Sequence, residues 1–106
     1  MSVVEIGRRL AELRKALSRD TGQEWTQPRI ARQLGVSSNM IHRLEYGGGS
    51  LENLGKLLDF YHQQGFNIQW VMVSDNTSIG MYRPDSASEQ ELRQTLEKLN
   101  KILNNK

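Results

Sequence analysis

Apolar positions recur along the first 65 residues at the three- and four-residue steps of helices that bury one face. Val3, Ile6, Leu10, Leu13 and Leu17 fall on one side of a first helix whose other side carries arginines and glutamates. The stretch Ser18 to Trp25 breaks that period with Asp20, Thr21 and Gly22. Thr26 then offers a capping oxygen, and Pro28 sits in a first turn, where its missing N–H costs nothing. The spacing predicts a second helix from about Gln27 to Leu34. Gly35 follows as a left-handed cap, Val36 as an apolar plug, and Ser37 as the cap of a third helix ending near Tyr46, with Ile41 and Leu44 inward. Gly47, Gly48 and Gly49 form a flexible turn. Ser50 caps a fourth helix with Leu51, Leu54, Leu57, Leu58 and Tyr61 inward, closed by Gly65.

Beyond Gly65 the pattern changes. Ile68 to Val73 is β-branched and aromatic, Ser74 to Thr77 reads as a turn, and Ser78 to Arg83 can return as a second strand, which predicts a small β-hairpin. A one-turn helix around Gln69 to Met72 followed by coil is the competing reading, because a short apolar run does not separate helix from strand. After a polar break at Pro84 to Ser88, Glu89 to Asn104 predicts a last helix with Leu92, Leu96, Leu99 and Leu103 in 4-3-4 spacing. So short a helix is marginal alone in water, so this leucine seam has to bury against something, either a second chain or its own domain. The division expected is a helical domain over 1–65, a hairpin extension over 66–84 and a C-terminal dimerisation helix over 85–106.

With 106 residues the chain has room for one compact domain and an appendage, but not for a separate ligand-sensing domain. It contains no cysteine and two histidines, which excludes disulfides and thiolate zinc sites and makes a poor metal cage, so no metal and no cofactor are expected. There is no apolar run of membrane-spanning length and no signal-peptide pattern, so a soluble cytoplasmic protein with no membrane partner is expected. The net charge is +2, unevenly placed. Residues 1–50 carry eight Lys/Arg against five acids, and residues 51–106 carry six against seven. The basic excess coincides with the second and third helices and tilts the balance only slightly toward nucleic acid.

The run Thr26 to Gly47 (TQPRIARQLGVSSNMIHRLEYG) resembles the helix-turn-helix of the Cro and phage-repressor (XRE-like) family of transcriptional regulators. Gln27, Ile30–Ala31, Leu34–Gly35–Val36–Ser37, Ile41, Leu44, Glu45 and Gly47 all fall at that family's steps, and the resemblance extends over roughly Ile6 to Tyr61. It implies a mainly α, lambda-repressor-like core of four to five helices whose third helix enters the major groove of double-stranded DNA. Ser38, Asn39 and Arg43 match the positions that face bases. Asn suits the N6/N7 edge of adenine and Arg the O6/N7 edge of guanine. Met40 and His42 match outward positions able to touch a thymine methyl or a phosphate, Gln27 a phosphate donor at the helix start, and Ser37 chiefly a cap with DNA nearby. Arg14 and Glu45 match a structural pair tying the first helix to the end of the third. Between Arg14 and Gln27 this chain has several more residues than short family members, which either lengthen the first helix or loop out.

Each of these residues has a plainer reading. Asn39 and Arg43 can be a solvated helix face, and Arg29 and Arg32 are as well explained by surface charge as by phosphate contact. His42 and His62 lie on different helices with no carboxylate at ligand spacing. Ser37, Ser38 and His42 have no oriented acid, so no enzyme is expected. Trp70 and Tyr61 read as core aromatics before they read as a ligand pocket. The expectation is therefore a DNA-binding repressor acting as a homodimer on a two-fold symmetric operator. The alternative is an antitoxin-type protein that represses its own operon and grips a protein partner through its C-terminal segment.

Overall fold

The first five helices each begin on a side-chain cap. The computed structural model describes residues 2–84 and 89–104, without the side chains of 89–92, 103 and 104, and the chain is mainly helical. Among the described residues six helices follow in order: α1 (Val3–Thr21), α2 (Gln27–Leu34), α3 (Ser38–Glu45), α4 (Leu51–Gln63), α5 (Ile68–Met72) and α6 (Glu89–Asn104). Ser2, Thr26, Ser37 and Ser50 accept from the backbone N–H of Glu5, Arg29, Met40 and Asn53 at 3.1–3.2 Å. Each such cap satisfies one orphan donor and stabilises its helix by about 1 kcal/mol. Among the described residues no helix is long and apolar enough to cross a membrane.

The residues between Arg14 and Gln27 lengthen α1 and then return tightly. Gly22 ends the helix at φ 67°, and the Trp25 N–H donates to Ser18 Oγ at 2.8 Å, which brings the Trp25 ring to 5.7 Å from Phe60. α2 and α3 are joined by a turn in which Gly35 takes φ 69° and the Val36 N–H donates to the Ala31 carbonyl. Ile30, Ala31, Ile41 and Leu44 from this pair meet Leu10, Leu13 and Leu17 of α1 and Leu57, Leu58 and Tyr61 of α4 in one core. α1 passes so close to the end of α3 that a Cβ on Gly7 would lie 2.5 Å from the Glu45 carbonyl oxygen. Tyr61 is fully buried, and Trp70 is half-buried against the core.

The expected β-hairpin over 68–83 does not form. Ile68–Met72 is the short helix α5, begun by Asn67 Oδ1 accepting from the Gln69 N–H at 3.1 Å, with Ile68 and Val71 buried three residues apart. A helical turn puts both on the core side, whereas a strand would have sent them to opposite faces. Pairing survives only at the flanks. Phe66 and Tyr82 form a single antiparallel bridge, with backbone bonds from the Asn67 N–H to the Met81 carbonyl and from the Arg83 N–H to the Gly65 carbonyl. The Arg9 guanidinium donates to the carbonyls of Val71, Val73 and Ser74 at 2.6–3.1 Å, covering the end of α5.

α6 packs against α4 and α5 of its own chain. Leu99 is buried and Leu96 is half-buried against the core. These two leucines, expected in a dimer seam, therefore fill their own domain, because α4 and α5 together leave an apolar face that needs covering. Leu92 and Leu103 lie outside the described side chains. Among the described side chains of α6 the apolar one left exposed is Ile102, which borders a groove of about 300 Å³ with Val3, Ile6, Leu51 and Leu54.

Candidate nucleic-acid interface

The side chains of α3 divide cleanly. Ile41, Leu44 and Glu45 face inward, while Ser38, Asn39, His42 and Arg43 are exposed along a continuous outer stripe. Ser37 is the N-cap. Met40, expected to face outward, is half-buried, because on a helix it falls between the outer stripe and Leu44. At the C-terminal end the last carbonyls are satisfied by the N–H groups of Tyr46, Gly47 and Gly48, so α3 stops without fraying into the glycine turn. The His42 and Tyr46 rings lie 4.5 Å apart on adjacent turns.

Glu45 fixes this helix. Its side chain is 4% exposed, and Arg14 meets it in a fork, Nε to Oε2 at 2.7 Å and Nη2 to Oε1 at 2.9 Å. Gln27 Nε2 donates to the same Oε1 at 3.0 Å. One carboxylate thus joins the middle of α1, the start of α2 and the end of α3, with Arg14 also donating to the Trp25 carbonyl at 3.3 Å. The hydrogen bonds to Glu45 outweigh burial and raise the Arg14 pKa above its ordinary value, so the guanidinium keeps its charge. Gln27 stands at the mouth of this arrangement. Its nitrogen carries a second hydrogen that Glu45 does not take.

The two arginines of α2 have different surroundings. The Arg29 guanidinium lies 3.8 Å over the Trp25 ring and donates to the Glu24 carbonyl and to Gln23 Oε1, which ties it to the α1–α2 connection. Arg32 is exposed near the end of α2.

Beside α3 a cleft of about 680 Å³ separates it from α1. The α1 wall is formed by Val4, Arg8, Ala11 and Lys15, and the α3 wall by His42 and Tyr46. Sequence reasoning did not single out Arg8, Lys15 or Tyr46. The available signal was the 4-3-4 recurrence of Val4, Arg8, Ala11 and Lys15, a second stripe of α1 beside its apolar one. Among the described residues there is no group of three or more His, Asp or Glu able to hold a metal ion. Compared with protein-family models, curated proteins and solved structures, the chain matches none.

Proposed function

We propose that the chain is a sequence-specific DNA-binding transcriptional regulator, a repressor, in which α2 and α3 act as a lambda-repressor-like helix-turn-helix. The observation that carries this reading is the exposed stripe Ser38, Asn39, His42 and Arg43 on a short helix held at both ends, by the Ser37 cap and by the Glu45–Arg14–Gln27 junction. Reading base edges needs donors and acceptors on a rigid element narrow enough for the major groove, and this stripe has both properties. Asn39 and Arg43 are the specificity residues of the proposal, and Gln27 contacts the backbone through its second amide hydrogen.

The second part of the proposal is a homodimer on a two-fold symmetric operator, which places two reading heads one helical turn apart. The groove at Val3, Ile6, Leu51, Leu54 and Ile102 supports it, as an apolar surface beside the end of α3. An antitoxin-type protein would use the same surface for a different chain, and a monomer in solution would favour that reading.

Selection of bound duplexes from a random pool, at fixed salt, tests the proposal. Wild type should yield a two-fold symmetric motif, and Asn39→Ala or Arg43→Ala should relax one base position in each half-site at a cost of ~1–3 kcal/mol. A wild-type protein that enriches no motif would refute the reading.

A further inference from the structure

The stripe Val4, Arg8, Ala11 and Lys15 faces α3 across the cleft, with the Arg14–Glu45 pair and Gln27 also lining it. Three cations, Arg8, Arg14 and Lys15, line it against one carboxylate, and that carboxylate is already engaged by Arg14 and Gln27. Arg8 and Lys15 are exposed and meet no carboxylate among the described residues. The acids nearest on α1, Glu5 and Glu12, line a neighbouring depression with Arg9 and Trp70, and Arg8 borders both that depression and the cleft. Within the cleft lining cations therefore outnumber carboxylates, and its open shape leaves Arg8 and Lys15 in reach of a large anion.

We infer that this cleft is a second contact surface for the nucleic-acid backbone, one that brings α1 into the interface and binds the phosphodiester strand running beside α3. The inference rests on the reading of α3 as the base-contacting helix. His42 belongs both to the exposed stripe of α3 and to the wall of the cleft, so a duplex seated on α3 has one strand beside the cleft. Arg8 and Lys15 are seven residues apart, about 10 Å along a helix. That exceeds the 3.4 Å axial rise per nucleotide, so the two cations address different phosphates. Gln27 and the exposed Tyr46 hydroxyl add neutral donors, while Val4, Ala11 and the His42–Tyr46 ring pair offer apolar surface to the sugars. An open trough of this length suits a continuous strand better than a single small anion, which needs an enclosing pocket.

The test measures the affinity of the full chain for its selected duplex at several salt concentrations, with wild type, Arg8→Gln, Lys15→Gln and the double variant. Each single substitution should weaken binding by about 3- to 10-fold near 0.1 M salt and flatten the slope of log K against log salt by about 0.9. The double variant should flatten it by about 1.8, and the selected motif should stay the same. Arg8→Lys should restore the wild-type slope, and thermal unfolding of all variants should match wild type, since both side chains are exposed. Unchanged affinity and slope in the double variant would overturn the inference. If Asn39→Ala and Arg43→Ala still altered the motif, the failure would stop at the cleft. A Lys15-dependent stabilisation by inorganic phosphate with no change in the salt slope would also overturn it, in favour of a small-anion site.

Discussion

Replacing Gly7 with alanine puts a methyl carbon 2.5 Å from the Glu45 carbonyl oxygen and 2.7 Å from that of Leu44. The nearest normal C···O approach is about 3.3 Å, so the contacts are short by roughly 0.6–0.8 Å. Both obstructing atoms are backbone, and no side-chain rotation relieves them. Either α1 moves off α3 or the last turn of α3 opens, and overpacking of this kind costs about 1–3 kcal/mol. Alanine returns about 0.5–1 kcal/mol through helix propensity, leaving a net loss of ~1–2 kcal/mol. At about 4–8 °C per kcal/mol, Tm should fall by about 5–15 °C. Gly55→Ala in α4 is the matched control. It makes the same chemical change inside a helix, but a Cβ there meets nothing within 4 Å among the described residues, so it should leave stability unchanged or raise it. Urea denaturation followed by tryptophan fluorescence and circular dichroism reads both. A Gly7→Ala protein as stable as Gly55→Ala would refute the close approach of α1 to α3, and with it the account of what sets the angle of α3.

Arg14→Ala leaves the Glu45 carboxylate with Gln27 as its remaining partner in a nearly buried position, and should cost about 2–4 kcal/mol by denaturation. The lower part of that range reflects the 21% exposure of the arginine side chain. Adding Glu45→Gln should recover part of the loss, and a double-mutant cycle showing no coupling would contradict the geometry of the pair. Tyr61→Phe should change stability by no more than about 0.5 kcal/mol. Among the described residues the buried phenol oxygen has no hydrogen-bond partner, and burial pushes its pKa well above the ordinary value, so it carries no charge at working pH. A loss above about 1.5 kcal/mol would mean that the hydroxyl is satisfied in solution.

The starts of α2, α3 and α4 were legible because each carries its own chemistry, whereas the end of α1 was not, since the apolar period breaks at Ser18 while the helix runs on to Thr21. Ser or Thr stands before α2, α3 and α4, with Pro28 inside a first turn and Gly35 after the end of α2. Position 68 onward was not legible in the same way. Ile68 and Val71 fit either period over so short a run, and the deciding features, the Asn67 cap and the Arg9 guanidinium reaching the carbonyls after α5, come from residues outside the run. The leucines of α6 announced that a face would be buried but not where. The answer depended on the exposed faces of α4 and α5, which exist only after folding. In the candidate site, the pairing of Arg14 with Glu45 followed from the resemblance. The engagement of Gln27 by the same carboxylate and the facing of Arg8 and Lys15 toward α3 did not, because both depend on the α1–α3 approach that Gly7 permits.

The most direct measurement is the amide spectrum of the isotope-labelled full chain titrated with its selected duplex. The account predicts shifts concentrated at Ser37 to Arg43, at the start of α2 around Gln27, and along α1 from Arg8 to Lys15, with the groove at Leu51 and Leu54 perturbed only if a second copy is recruited. A saturating titration that left Ser37 to Arg43 unmoved would contradict the central claim that α3 is the DNA-reading element.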